Sequence, residues 1–173
     1  MDTAHHLEAW RDLYVMLGTS AAALIGLLFV ASSLHLGDMA GNQALRLRSR
    51  NVTLHLVAML VQAMAILTPQ PLMPLGVEVA IVNLCGIVMP LSLAGRVFRK
   101  DSAVSLYRWL SYMTGYALGV AGGVALACGL VAGLYAVTLS NALFFVAVVL
   151  DAWKMLLGLR EARGAPDKTG ARA

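Results

Sequence analysis

The stretch from Trp10 to Leu36 constrains this chain more than any other. It reads WRDLYVMLGTSAAALIGLLFVASSLHL and carries no acidic or basic Asp, Glu, Lys or Arg after Asp12. An apolar run of about 20 residues is long enough to cross the hydrocarbon core of a bilayer as a helix. Because lipid offers no partner to an unpaired backbone amide, a helix is the form that a single span must take. The stretch therefore predicts an integral membrane protein.

Composition supports the same class. The chain has 60% hydrophobic and 13% charged residues, with a mean hydropathy of +0.76, whereas soluble domains carry roughly a quarter charged residues. The net charge of +4 falls in short loops, the first of which contains Arg46, Arg48 and Arg50. Nucleic-acid binding needs a larger basic surface with stacking aromatic residues. We therefore expect no nucleic-acid partner, and expect these arginines to anchor a cytoplasmic loop near anionic lipid heads.

The apolar segments predict an all-α fold, a transmembrane bundle of five spanning helices in a single domain over residues 1–160. The expected spans cover residues 13–36, 52–68, 76–95, 107–131 and 139–159, and residues 161–173 are expected to form a disordered cytoplasmic tail. Prolines at 69, 71 and 74 predict a tight turn after the second span. The turn after the fourth span is placed at residues 132–140, where Thr138, Ser140 and Asn141 offer capping oxygens.

The distribution of basic residues predicts the orientation. Nearly all Arg and Lys residues lie in the loops after the first and third spans and in the C-terminal segment, and the turns after the second and fourth spans carry none. Lys and Arg are enriched in cytoplasmic loops. The N-terminus is therefore expected outside and the C-terminus in the cytoplasm.

Two strips of small residues are expected to pack helices together. Gly18, Ala22 and Gly26 repeat at every fourth position of the first span, and Gly115, Gly119 and Gly123 do so in the fourth. Small residues let two helix backbones approach closely in a membrane. A pore lining or a hinge is the alternative interpretation of the second strip.

A few polar residues fall within the spans, and each is expected to have a partner or to face a wet cavity, because polar groups are costly in lipid. They are His35, His55, Gln62, Glu78, Asn83, Asp151 and Lys154. Glu78 is expected to reach water near the outer boundary. Gln62 and Asn83 stand at similar distances from the proline turn, which predicts an interhelical hydrogen bond between them.

Two alternatives concern the histidines. His55 is predicted to lie opposite Pro90, where its ring N–H could satisfy the carbonyl of Gly86 that proline cannot bond. Together with His35, Asp151 and Lys154 it could instead form a proton-handling, metal or haem cluster. Scattered structural histidines are the preferred interpretation, with Asp151 and Lys154 paired to each other at i, i+3.

No motif of an enzyme is present. The sequence contains no serine elbow, HExxH, P-loop or paired acidic motif. Cys85 and Cys128 lie singly in apolar segments and are expected to be small buried hydrophobes. We therefore predict no catalytic, cofactor-binding or metal-binding residue, and no enzymatic activity.

The first two spans resemble those of a loose group of small bacterial polytopic inner-membrane proteins of uncharacterised activity. The resemblance continues through the arginine loop to Thr68-Pro69-Gln70 and is carried mainly by packing residues of the first span: Trp10, Asp12, Tyr14, Val15, Gly18, Ala21, Ala22, Ala23, Leu24, Gly26, Leu27, Phe29, Val30, Ala31 and Ser33. It implies a bacterial inner-membrane location and gives no indication of an activity, a substrate or a catalytic residue.

The expected function is a structural, regulatory or partner-binding role in the lipid bilayer, with self-association or another membrane protein as the partner. A small oligomeric channel or transporter is the alternative, and a haem- or metal-binding membrane enzyme is a third. A pore requires a ring of subunits with polar residues facing its axis, whereas a haem or metal enzyme would show a haem spectrum or a metal in the purified protein.

Overall fold

The computed structural model describes residues 3–34, 43–97 and 102–164, with side chains described for residues 10–34, 49–88 and 109–153. The described chain consists of five α-helices, which confirms the all-α prediction. They are α1 (Thr3–Leu34), α2 (Gln43–Leu67), α3 (Leu72–Val97), α4 (Ser102–Ala127) and α5 (Gly133–Gly164).

Four of these helices are long and apolar enough to cross a membrane. The candidate spans are Trp10–Leu34, Ser49–Leu67, Trp109–Ala127 and Gly133–Trp153. The fully described part of α3 contributes a shorter apolar helix, Leu72–Val88. The chain is thus a multi-pass membrane protein by the length and composition of its helices.

The helices run up and down, with α2, α3, α4 and α5 in contact as a ring and α1 packed against α2. We call the end with the two tight turns, residues 68–71 and 128–132, the turn end, and the opposite end, where α2 begins, the basic end. One apolar cluster fills the turn end, around Leu75, Leu126 and Leu134. A second, around Leu56 and Phe144, fills the basic half. Gln62, Asn83, Ser140 and Asn141 lie between the two, whereas the buried His55 and Asp151 lie in the basic half.

Helices α3 and α4 approach backbone to backbone at two glycines. A Cβ added to Gly123 would lie 2.6 Å from the nitrogen of Ala80 and 2.8 Å from the carbonyl oxygen of Gly76. A Cβ added to Gly76 would similarly meet the backbone of Gly123 and Ala127. Since backbone atoms cannot swing aside as a flexible side chain can, only glycine permits this crossing.

Helix α4 ends earlier than the sequence predicts. Gly129 has a φ of +83°, its N–H bonds the carbonyl of Leu126 at 2.8 Å, and the N–H of Leu130 bonds that of Ala125 at 2.9 Å. This pair of bonds around a left-handed glycine is a Schellman ending. The turn predicted at residues 132–140 is therefore wrong: α5 already begins at Gly133. Thr138, Ser140 and Asn141 lie inside that helix, so they are not capping residues.

Other helix ends also differ from the prediction. Helix α2 begins at Gln43, so Arg46, Arg48 and Arg50 lie in its first turns and not in the predicted loop. Pro74 belongs to the first turn of α3 and not to the preceding loop. A proline is tolerated there because the first N–H groups of a helix have no intrahelical partner. At the other end of the chain α5 continues to Gly164, four residues into the predicted tail. Glu, Ala and Arg at 161–163 are good helix formers. Residues 165–173 lie outside the described part.

The small-residue strip of α1 packs over only part of its length. Tyr14, Gly18 and Ala21 are buried, with Gly18 against α2, whereas Ala22 and Gly26 are exposed. Nothing lies within 4 Å of a Cβ added to Gly26. The structure thus shows packing at Gly18 but not at Ala22 and Gly26, for which the packing role stays a prediction. An exact four-residue repeat drifts around a helix of 3.6 residues per turn, whereas alternating steps of four and three keep to one side.

The glycine crossing predicts a selective effect on stability. Gly123→Leu should lower the free energy of unfolding by about 1–3 kcal/mol, the usual cost of overpacking. Leu118→Ala should cost less, because it only trims a half-buried side chain. The matched control Ala121→Leu adds a large side chain at an exposed position of the same helix and should change stability by less than about 0.5 kcal/mol. Unfolding of the purified protein in detergent by heat or SDS measures all three. Equal losses for Gly123→Leu and Ala121→Leu would contradict the crossing.

Candidate functional site: the buried polar residues

The polar residues predicted within the spans separate into three groups. His55, Gln62, Asn83 and Asp151 are buried, with at most 6% of each exposed. Glu78 is exposed. His35 and the side chain of Lys154 lie outside the described residues, so the predicted pair between Asp151 and Lys154 does too. The buried set faces the interior of the bundle and not lipid.

The middle of the bundle contains a polar layer built from three helices. Gln62 of α2 accepts a hydrogen bond from the Asn141 side chain of α5 at 3.5 Å. Ser140 donates to the carbonyl of Gly115 on α4 at 2.7 Å. Ser140 and Asn141 are fully buried. Sequence reasoning missed both as interior residues because it assigned them to a turn. Their side chains tie α5 to α2 and α4 between the two apolar clusters.

Asn83 does not pair with Gln62, so that prediction is wrong. Its side-chain N–H donates to the carbonyl of Val79 on its own helix at 2.8 Å. The amide lies directly over Gly119 of α4, in the space that a Cβ there would occupy. The two amides stand near the same level, but α3 is rotated so that its Asn83 face meets the glycines of α4. Depth in the membrane follows from the sequence, whereas helix rotation depends on which neighbour packs closest.

His55 is enclosed by aromatic rings. The imidazole centroid lies 4.4 Å from that of Tyr112, 5.6 Å from that of Tyr116 and 5.5 Å from that of Phe144. Its Nδ1 bonds the carbonyl oxygen of Asn51 at 2.6 Å, one helical turn earlier. Because a carbonyl only accepts, Nδ1 carries the proton and a neutral ring keeps its lone pair on Nε2.

The hypothesis that His55 satisfies the carbonyl of Gly86 is wrong, because its Nδ1–H is used by Asn51. The Tyr116 ring lies against Gly86 instead. This contact again needs glycine, since a Cβ there would fall within 2.6 Å of the ring carbon that bears the hydroxyl. Aromatic side chains of α4 thus fill the space between α2 and α3 that the histidine was expected to cross.

Tyr112 joins His55 to the buried acid. Its ring packs on the imidazole and its hydroxyl donates to Oδ2 of Asp151 at 2.8 Å. The structure therefore brings together two residues of the predicted proton-handling or metal cluster, with a tyrosine between them. Within the described residues, no group of three or more His, Cys, Asp and Glu side chains is placed to hold a metal ion. Cys85 and Cys128 are free and exposed, so the expectation that they are buried is wrong.

Several enclosed polar atoms have no hydrogen-bond partner among the described residues. They are Oδ1 of Asn51, Nε2 of His55, Oδ1 of Asn83 and Oδ1 of Asn141. Each can only accept a hydrogen bond while the imidazole is neutral. Buried polar groups without partners are uncommon and costly. These four atoms are therefore available to accept a hydrogen bond from a small molecule that carries an O–H or N–H group.

A separate polar contact joins α1 to α5 at the turn end. The hydroxyls of Tyr14 and Thr138 lie 2.9 Å apart. Trp10 meets Tyr135 edge to face, with ring centroids 4.7 Å apart. These contacts place the start of the first span beside the start of the fifth.

No match was found when the chain was compared with protein-family models, with curated proteins or with solved structures. The resemblance of the first two spans to small bacterial membrane proteins therefore stays a prediction.

The polar layer predicts a weak coupling between Gln62 and Asn141. In a double-mutant cycle with Gln62→Leu and Asn141→Leu, the coupling free energy should be about 0.6 kcal/mol, typical of polar pairs in membranes. The separation of 3.5 Å is long for a hydrogen bond, which argues against a larger value. Unfolding free energies of the four proteins in bicelles measure it. A parallel cycle of Gln62→Leu with Asn83→Leu is the control and should give about zero. The assignment fails if the control pair couples more strongly.

Proposed function

We propose that the chain is a bacterial inner-membrane protein that crosses the bilayer five times, with the N-terminus outside and the C-terminus in the cytoplasm. Support for a fifth span comes from the position of α3 between α2 and α4 in the ring. Both tight turns, which lie at the same end, are uncharged, whereas Arg46, Arg48 and Arg50 begin α2 at the other end. Basic residues favour the cytoplasmic side.

Reporter fusions test the orientation. Residues 40–50, 97–103 and 162–173 should report as cytoplasmic and residues 69–75 as external, because the positive-inside rule assigns the basic loops to the cytoplasm. A fusion reporter that is active only outside the cytoplasm gives the measurement at each site, with a reporter active only inside as its control. External activity at Arg48 would invert the whole arrangement.

Within that topology, we propose a non-enzymatic bundle that acts through association in the membrane, with α1 as its binding helix. The observation that carries this proposal is the low burial of α1. Only 17% of its most apolar stretch is buried within the chain, against 39% for the corresponding stretches of α2, α4 and α5. Of the five described helices, α1 is also the one that lies outside the ring. Its outer face is therefore available to another helix.

The chemistry of this outer face suits a close helix pair. Ala22 and Gly26 are exposed there and stand one turn apart. Leu27 and Phe29 project beside them, with 66% and 74% of each side chain exposed. Small residues bordered by large apolar ones allow two backbones to approach and gain dispersion contacts. We propose a second copy of the chain as the partner, since one patch can pair with itself about a twofold axis.

Cysteine cross-linking in native membranes tests this association. In a chain with Cys85→Ser and Cys128→Ser, Gly26→Cys should give a disulfide-linked dimer on oxidation, because a twofold pairing places the two positions close together. The matched control is Val146→Cys, an exposed position on α5, which should stay monomeric. Non-reducing electrophoresis measures both. Absence of dimer at Gly26, or equal dimer at both positions, would reject α1 as the binding helix.

A small channel or transporter is the second candidate function. It is favoured by the four enclosed acceptor atoms on α2, α3 and α5. Such a path would require these atoms to meet water or a passing ion during transport. In the described structure Gln62, Ser140 and Asn141 are instead buried and hydrogen-bonded to each other or to Gly115. This is why association takes precedence over transport.

A further inference from the structure

Helices α2 and α3 border an open cavity, or groove, of about 220 Å³ near the turn end. Its walls include Val61, Ala65, Val79 and Ile81, and the two polar residues that line it are Gln62 and Glu78. Val61 and Ile81 are 43% and 54% exposed, so the cavity opens on the outer surface of the ring, where the membrane lies. An apolar groove that faces lipid can accept part of an acyl chain.

The rim of the groove is rich in hydrogen-bond acceptors. The Gln70 side-chain amide donates to the carbonyl of Ala65 at 3.1 Å and to Oε2 of Glu78 at 2.9 Å. These bonds use both N–H groups of Gln70, which leaves its oxygen as an acceptor beside the carboxylate. The turn next to them, residues 69–71, is Pro-Gln-Pro and carries no charge. Gln70 and Glu78 thus present only hydrogen-bond acceptors to a ligand.

Glu78 has a negative charge without a cationic partner in the described residues, where its hydrogen bond comes from the neutral Gln70. It lies within an apolar helix, between Val77 and Val79, and is exposed. A carboxylate on the lipid-facing side of such a helix is costly unless a cation or water compensates it. Charge complementarity therefore selects a ligand with a cationic head and an apolar tail.

We propose that this groove binds a phospholipid with a primary ammonium head, of the phosphatidylethanolamine class. Its ammonium donates to Glu78 and to the Gln70 oxygen, and part of one acyl chain occupies the groove between α2 and α3. An ammonium has three N–H donors, which is enough to bond both acceptors on the rim. A choline head has the same charge but no N–H to donate, and an anionic glycerol head is repelled by the carboxylate. The site is independent of the association proposed for α1.

The test measures the binding of added lipid to the full chain, purified in detergent. Native mass spectrometry counts bound lipid for phosphatidylethanolamine, phosphatidylcholine and phosphatidylglycerol with identical acyl chains. The ethanolamine lipid should bind most tightly. Glu78→Gln should weaken its binding about fivefold, which corresponds to about 1 kcal/mol for one ion pair. The choline lipid should lose less, and the glycerol lipid should bind no more weakly than before, because the carboxylate that repels its head is gone. The exposed position of Glu78 makes this variant tolerable to the fold.

The matched control is Asp12→Asn, which removes an exposed carboxylate of α1 from the same end of the bundle but not from the groove. It should keep the ethanolamine preference. A second variant, Ala65→Leu, fills the groove and should weaken the binding of all three lipids while Glu78 remains. The proposal is overturned if the three lipids bind equally to the parent chain, if Glu78→Gln keeps the preference, or if Asp12→Asn loses it.

Discussion

The close crossing of α3 and α4 at Gly76 and Gly123 determines where the other residues of the ring are placed. With no side chain at either position, the two backbones come into direct contact. That contact fixes the rotation of α3, and the rotation turns Asn83 onto Gly119 and places Gly86 beneath the Tyr116 ring. Tyr116 in turn is part of the aromatic enclosure of His55. Dispersion and close packing dominate here because lipid provides no hydrophobic force between helices.

The interior that results is layered along the membrane normal. An apolar cluster at each end encloses a middle layer with Gln62, Asn83, Ser140 and Asn141. Polar groups in such a place specify which helices meet, because a wrong rotation would leave them against lipid. They also leave acceptors without partners, at Asn83 and Asn141. The layer therefore favours one arrangement of the ring at some cost in stability.

The periphery differs from the ring in what it exposes. Helix α1 touches α2 along one narrow face and reaches α5 through Tyr14 and Trp10. Its other faces meet the membrane, as does the groove between α2 and α3 with Glu78 on its rim. Both proposals place function on these outward surfaces. The interior is filled by contacts that hold the helices together. Lipids and other helices can reach only the surfaces that face the membrane.

The sequence by itself determined the class of protein, the number of helices and their approximate limits. Long apolar runs permit little else, and the closely spaced prolines at 69 and 71 predict the turn that separates α2 from α3. The ending of α4 needed the left-handed backbone at Gly129, because glycine is common throughout that segment and no pattern singles out this one. Because the ending at Gly129 was not recognisable, sequence reasoning placed the turn at residues 132–140 and assigned Ser140 and Asn141 as caps. It therefore missed two residues of the polar layer.

Only the tertiary structure decided which polar residues meet. The sequence gives each residue a depth, and on depth alone Gln62 and Asn83 were expected to pair. The rotation of each helix depends on the neighbour that packs closest. Asn83 therefore packs against Gly119 of α4, and Gln62 forms its hydrogen bond with Asn141. The same holds for α1, where Gly18 packs and Gly26 does not, although both belong to one repeat. Small residues permit a neighbouring helix to approach closely. Whether such a neighbour is present is decided by the arrangement of all the helices in the bundle.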